Sequence, residues 1–259
     1  MSLKICLLTD QELDLDPFPK GDWPCDPRPF MPDADWKVLT LDKKNAVSQV
    51  MRAAADGFDL FFNLCDGAWD EGRVGIEVIQ TLESLGQAFT GADSSFFEPS
   101  RDTMKRVCRA WGVDTPGYVI ARDDRDLERA ADELTFPLIV KHPQSYASYG
   151  ITPASKVGDV SSLREQARIL MSRHHSALIE EFVEGSEATV LIAENADDAA
   201  APFAYRPIQY DFPEGESFKH YDLKWIDFHG LSAFPVEDPE LDELLRRVSC
   251  DFFRGMRGV

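Results

Sequence analysis

A lysine at the end of an apolar strand is costly unless it reaches water or something negative. In FPLIVKHPQSYASYG (136–150), four apolar residues, Pro137 to Val140, run into Lys141. A loop of small and hydroxyl side chains follows, closing on Ser148, Tyr149 and Gly150. Three other segments carry related chemistry. Arg101 and Lys105 lie four apart in a helical pattern and so share one flank. Lys224 sits in YDLKW, which reads as the start of a strand. In LIEEFVEGSE, Glu180 and Glu181 follow apolar residues at a strand end, and Glu187 comes just after a glycine-containing turn.

Cations drawn from separate elements can neutralise a triphosphate. Transfer of its terminal phosphoryl group needs positioning and charge neutralisation more than covalent help. The hydroxyls and glycine of 145–150 would let backbone N–H groups approach phosphate oxygens. A strand end can pair with adenine, and a carboxylate there can accept from a ribose or an exocyclic amine. The Walker A pattern is absent.

Each residue also has a plainer reading. Lys141 taken alone could snorkel from its strand. Arg101 and Lys105 could form surface pairs with Asp102 or Glu98, and Lys224 could be solvated beside Asp222 and Asp227. Glu187 could be an ordinary surface residue. Asp66, Asp70 and Glu71 lack a histidine partner and read as a solvated loop, and Trp23, Trp36, Trp69, Phe61 and Phe62 as core. His174 and His175 read as complements to a helix dipole. Cys65 has no basic partner to lower its pKa, so it is rejected as a nucleophile.

The elements that must position these residues begin with KICLLTD as a first strand, WKVLTL (36–41) as a second, a helix over 43–56 and FDLFFNL (58–64) as a third strand. The region 17–35 is left as loop. A helix through Val74, Val78, Ile79, Leu82 and Leu85 stops at Gly86, and QAFTG (87–91) is a short strand. Strand–helix alternation predicts an open parallel sheet. Next, Ser100 caps a helix whose stripe is Met104, Val107, Cys108 and Trp111. Strands over 117–121, 136–141 and 176–182 alternate with helices around Leu127 and over 161–173. EATVLIAE, AYRPIQYDF and LKWIDF then read as consecutive antiparallel strands, followed by an amphipathic helix through Leu241, Leu244, Leu245, Val248 and Phe252.

Composition sets the outer limits. The 259 residues are 44% hydrophobic and 28% charged, with a formal charge of −19. That charge argues against sequence-independent nucleic-acid binding and against docking on an anionic membrane. Five scattered cysteines without a C-x-x-C spacing fit a reducing, cytoplasmic setting. No window is long and apolar enough to span a membrane.

The order LIVKHP, SYASYGI, LIEEFVEGSE, HYDLKW resembles the ATP-grasp superfamily, in its D-alanine–D-alanine ligase-like branch. FDLFFNLCDGAWDEGRVGIEVIQTLESLGQAFTG resembles that branch's N-terminal strand, acidic loop, helix and strand. The resemblance implies an α/β chain with an α+β ATP-grasp part: a Rossmann-like N-terminal domain over 1–95, a central subdomain over 96–175 and a C-terminal subdomain over 176–259. It implies an ATP-dependent carboxylate–amine ligase that forms a C–N bond through an acylphosphate and uses magnesium.

By position, Lys141 would contact the α- and β-phosphates, and Ser148 and Gly150 belong to the loop that closes over them. Glu180, Glu181 and Val183 would surround adenine, Glu187 would hold the ribose, and Lys224, with Ser148, would serve the transfer step. The family's first ATP lysine aligns with Arg101, with Lys105 one turn on as the alternative. Glu12, Asp66 and Tyr149 would face an amino-acid or peptide substrate. Asp66 stands where the branch has a histidine, so the resemblance carries over the reaction class and not the amino acid.

Family members continue beyond the last helix into strands bearing metal-binding acids. The metal ligands are therefore expected past residue 259, with none within this chain. Two further readings stand beside the ligase: an ATP-binding pseudoenzyme or assembly subunit, and a phosphotransferase. A homodimer is compatible with all of these.

Overall fold

This computed structural model describes residues 2–10, 26–67, 72–198 and 200–257. Glu12, Trp23, Cys25, Trp69, Asp70 and Glu71 lie outside the described residues. The chain divides into two compact units, Met1–Glu98 and Pro99–Val259.

The first unit runs β1 (Lys4–Thr9), β2 (Asp35–Thr40), α1 (Ala46–Ala54), β3 (Leu60–Asn63) and α2 (Ile76–Ser84). Its strands pair in parallel in the order β2-β1-β3. Central β1 is buried from Ile5 to Thr9, as a strand covered on both faces should be. Cys6, Leu8 and Phe61 pack with Val50 of α1 and Val78 and Leu82 of α2.

QAFTG does not form the strand expected of it. Only Phe89 pairs, in a single parallel bridge with Phe61. The next ladder donor, the N–H of Asn63, goes to the side-chain oxygen of Thr90 instead, 3.1 Å away, and this ends the pairing. Ahead of α2, Gly75 crosses Gly67 so closely that a Cβ at Gly75 would lie 1.9 Å from the Gly67 carbonyl oxygen. Only glycine fits there, and the crossing shapes the loop that carries Asp66 and Arg73.

The second unit opens with α3 (Arg101–Ala110), β4 (Tyr118–Ala121), α4 (Asp124–Glu133), β5 (Leu138–Lys141), β6 (Lys156–Val157), α5 (Val160–His174) and β7 (Ala177–Glu181). Ser100 caps α3 by accepting from the N–H of Thr103 at 3.1 Å. Ser100→Ala is therefore expected to cost about 1 kcal/mol, read from the denaturation midpoint at constant slope.

The antiparallel sheet has the order β4-β7-β5-β6. Its period of two decides what each face carries. Leu138 and Val140 of β5 and Ala177 and Ile179 of β7 join Leu127, Ala130, Leu163 and Ala167 of α4 and α5 in one core. Tyr118, Ile139, Lys141 and Glu180 alternate with these and occupy the opposite face. The expected boundary at 175/176 falls within this layer, because β7 belongs to the sheet of β4 and β5.

The stripe on α3 is also revised. Met104, Val107 and Cys108 are only half-buried and Trp111 is 40% exposed, whereas Lys105 is the buried residue of the helix.

Beyond β7, the expected three strands are rearranged. They become β8 (Glu187–Thr189), β9 (Ile192–Ala193), β10 (Phe203–Ala204), β11 (Ile208–Asp211), α6 (Tyr221–Trp225) and β12 (Ser232–Pro235), before the long helix α7 (Pro239–Arg257). Pro207, which cannot donate to a ladder, separates β10 from β11. β9 then pairs with β10, while β8, β11 and β12 form a separate antiparallel sheet.

The LKW of LKWIDF is helical rather than extended. The ring of His220 accepts the Leu223 N–H at 3.3 Å and starts a short turn, so Lys224 sits on α6 and not on a strand. The third strand of the sheet comes later, at Ser232. On α7, Gly255 lies against Trp111 and Val107 of α3 where a larger residue would clash.

Candidate functional site

The outer face of the four-stranded sheet explains why β5 ends on a lysine. Ile139 pairs with Glu180 across β5 and β7, and Lys141 lies two residues further along the same face. The Lys141 ammonium is therefore a diagonal neighbour of the Glu180 carboxylate, and the two form an ion pair. The other carboxylate oxygen of Glu180 holds Lys105 at 2.7 Å, and Lys105 also donates to the Thr115 hydroxyl at 2.9 Å. Two cations thus share one carboxylate, itself 7% exposed.

Burial pushes the Glu180 carboxyl up, but Lys141 and Lys105 more than offset this and hold it below the usual glutamate range. Lys141 is held below the usual lysine value, first by burial and then by Arg101 and Lys105, against the pull of Glu180. The asymmetry has a simple origin. The carboxylate gains from both ammonium groups, while each ammonium shares one carboxylate and repels its neighbours.

Arg101 is placed by backbone. Its Nε donates to the His142 carbonyl at 3.1 Å and its Nη2 to the Ser145 carbonyl at 2.7 Å. Burial lowers its pKa, and Glu180 opposes that. It therefore fastens α3 to the start of the 143–150 loop. In that loop Ala147 and Ser148 both take left-handed backbone conformations, φ 56° and 61°, which cost non-glycine residues energy. Three hydrogen bonds tie this loop and Ile151 just after it to residues 219–225. Ser148 Oγ donates to the Lys219 carbonyl at 2.7 Å, Trp225 Nε1 donates to the Ala147 carbonyl at 2.8 Å, and the Tyr221 N–H donates to the Ile151 carbonyl at 2.9 Å.

These elements enclose an open cleft of about 490 Å³. Arg101, Lys141, Ser148, Glu180, Glu181, Val183, Glu187 and Lys224 all line it. A cavity of this size is within the range of small-molecule sites. Lys105 does not line it and stands behind Glu180; of the two candidates Arg101 and Lys105, Arg101 is the one at the cleft. Gly150 (φ 71°) and Tyr149, 46% exposed, belong to the loop but not to the lining.

Glu181 turns its carboxylate onto backbone, accepting from the N–H groups of Thr135 at 2.9 Å and Gly117 at 3.3 Å. Those bonds lower its pKa. Val183 is 69% exposed on the turn that follows β7. Glu187 opens β8 and pairs with Lys219 at 2.8 Å. Lys224 is held below the usual lysine value by burial and by Lys219, against the pull of Glu187.

Sequence reasoning missed Lys219, a fourth cation lining the cleft, and Phe218, whose ring meets Phe182 edge-on at 5.7 Å. The pattern F-K-H-Y-D-L-K contained both lysines. Reading the segment as a strand from Leu223 excluded the first of them.

In the first unit, Arg73 joins Asp10 at 3.0 Å and Asp66 at 2.6 Å, so Asp66 belongs to an ion-paired cluster and is not merely solvated. Burial pushes the Cys65 thiol up, and Asp10, Asp66 and Glu77 add to this; burial likewise takes Cys6 to about 11. Neither thiol is poised as a nucleophile. His174 ends α5 with its ring 4.1 Å from that of His142, and His175 takes the left-handed conformation that stops the helix. Among the described residues, no three His, Cys, Asp or Glu side chains gather as a metal site, and no helix is long and apolar enough to cross a membrane.

A cleft over an antiparallel sheet, with lysines supplied by the sheet, by a neighbouring loop and by a short helix, is the arrangement expected from the ATP-grasp resemblance, and the comparisons with known proteins place the chain in that class. The D-alanine–D-alanine ligase of Bacillus anthracis, solved in complex with ATP, superposes with a TM-score of 0.65 at 18% identity, covering 99% of this chain and 78% of that one. The family model "D-ala D-ala ligase C-terminus" matches residues 108–249, more than half of the chain, and the chain belongs to that family. The D-alanine–D-alanine ligases of Cupriavidus necator and Xanthomonas axonopodis pv. citri are 27% and 31% identical over 82% and 79% of this chain. The chain spans 63% and 62% of the length of those two relatives.

Proposed function

We propose that this chain binds ATP in the 490 Å³ cleft and serves an ATP-dependent carboxylate–amine ligase, in a cytoplasmic setting. The observation that carries the reading is that Lys141 and Lys224, 83 residues apart in sequence, line one cleft together with Arg101, Ser148 and Glu187. Membership of the family and the ligase names of its relatives support the reaction class.

In this reading Lys141 and Arg101 neutralise the inner phosphates, and the Ser148–Gly150 backbone approaches their oxygens. Lys224 follows the terminal phosphoryl group as charge moves during transfer. Glu180, Glu181 and Val183 border the base, and Glu187 accepts from the ribose. A carboxylate oxygen of the first substrate bonds to the γ-phosphorus as ADP leaves. The amine of the second substrate then attacks the acylphosphate carbon, phosphate departs and an amide remains. Water must be kept from that intermediate, a task for the 145–151 loop. Magnesium would accompany the nucleotide; the described residues do not form a metal site of their own, and no step here depends on one. The Asp10–Arg73–Asp66 cluster and Tyr149 are assigned to substrate recognition, and the amino acid is left unassigned because Asp66 replaces a histidine.

The test is calorimetric titration with ATP and magnesium, followed by ADP release across a panel of amino acids and dipeptides. Micromolar binding with amine-dependent ADP release supports the ligase. Binding with no release from any pair supports a nucleotide-binding subunit, and a phosphoester identified by mass supports a phosphotransferase. No ATP binding at all rejects the site.

A further inference from the structure

Among the described residues, Lys219 is the cation of the cleft that the proposed mechanism does not use. Its ammonium pairs with Glu187 Oε1 at 2.8 Å and rests over the ring of Tyr210, 3.3 Å from the centroid. Tyr210 is also the residue directly across from Glu187 where β11 pairs with β8. The three side chains therefore form a closed unit: a carboxylate and an aromatic ring on adjacent strands, bridged by one ammonium. The Lys219 side chain is only 15% exposed and Glu187 40%, so the pair is partly withdrawn from solvent screening. Its backbone is fixed as well, because the Lys219 carbonyl accepts from Ser148.

We propose that Lys219 is a specificity-determining residue that holds Glu187 fixed in direction as a receptor for the two hydroxyls of a nucleotide's ribose. This rests on the nucleotide reading above. With Oε1 committed to the ammonium, Oε2 is the oxygen left to accept from a sugar. A carboxylate held in this way gives stronger and more direction-dependent hydrogen bonds than a rotating one. It should then penalise a sugar that lacks a hydroxyl, since a missing donor leaves the acceptor unpaired. The rival role for Lys219, direct neutralisation of phosphate, predicts something different, namely weaker binding of every triphosphate regardless of its sugar.

The experiment is calorimetric titration of the chain with ATP, 2′-deoxy-ATP and 3′-deoxy-ATP, using wild type, Lys219→Met, Lys219→Arg and Glu187→Gln, each checked for cooperative thermal unfolding. Wild type is expected to bind ATP about 10-fold or more tightly than at least one deoxy analogue, the scale of one hydrogen bond to a charged group. Lys219→Met and Glu187→Gln should bring that ratio to within about 3-fold by weakening ATP while leaving the deoxy analogue nearly unchanged. Lys219→Arg should retain most of the discrimination, and retains a test if Lys219→Met does not fold. An unchanged ratio in Lys219→Met, or an equal loss for all three nucleotides, overturns the proposal while leaving the nucleotide site intact. A wild-type chain that binds none of them overturns the nucleotide reading itself.

Discussion

Lys141→Ala is expected to bind ATP about 30- to 100-fold more weakly than wild type while keeping a cooperative unfolding transition. One charge-assisted hydrogen bond is worth roughly 1.5–3 kcal/mol, and each 1.4 kcal/mol is a factor of ten. The effect should be large because Lys141 is fixed at the end of a buried strand, with little side-chain freedom left to lose on binding. The fold should survive because Glu180 keeps Lys105 as a counter-ion. Calorimetry decides the matter: an affinity within about threefold of wild type would remove Lys141 from the site.

Glu180→Leu should be the more damaging change to stability. It leaves Lys105 and Lys141 in a largely buried space with no carboxylate between them. Breaking a buried pair from one side typically costs about 3–5 kcal/mol. Adding Lys105→Met should recover about 1 kcal/mol or more, since a buried charge network replaced by apolar groups loses less than one left half-paired. Urea denaturation of the single and double variants checks both statements, and a double variant less stable than Glu180→Leu alone would contradict them.

The same network makes a prediction about acid. The folded carboxyl of Glu180 is held below its unfolded value of roughly 4.3, so its contribution is complete above that pH. It is lost as the pH falls through the lower, folded value. The stability gap between wild type and Glu180→Gln should therefore be constant from neutral pH down to about 5 and close below about 4.

Much of this was legible in the sequence because it follows from local pattern. The continuous apolar runs in FPLIVK and SALIEEF placed Lys141 and Glu180 near a strand end, and Ser100, Gly86 and the apolar spacing of α2 marked helix ends. What escaped depended on partners distant in sequence. Lys105 read as either an exposed flank residue or an ATP contact because nothing within α3 shows that Glu180, 75 positions later, lies beneath it. α6 read as a strand because the β-favouring residues of LKWIDF outweighed a histidine whose capping role exists only once its ring finds the Leu223 N–H. Lys219 was passed over for the same reason, since its significance comes from Glu187 and Tyr210 on two other segments. The Asp10–Arg73–Asp66 cluster spans 63 positions and needed the Gly67–Gly75 crossing to form.

The three hydrogen bonds joining residues 147–151 to residues 219–225 have a mechanical consequence. Two stretches that could have swung separately are stitched into a single flap carrying Ser148, Lys219 and Lys224. On the nucleotide reading proposed above, a movement that kept these bonds would carry the loop and both lysines as one piece, and for Lys219 it would have to break the ion pair with Glu187.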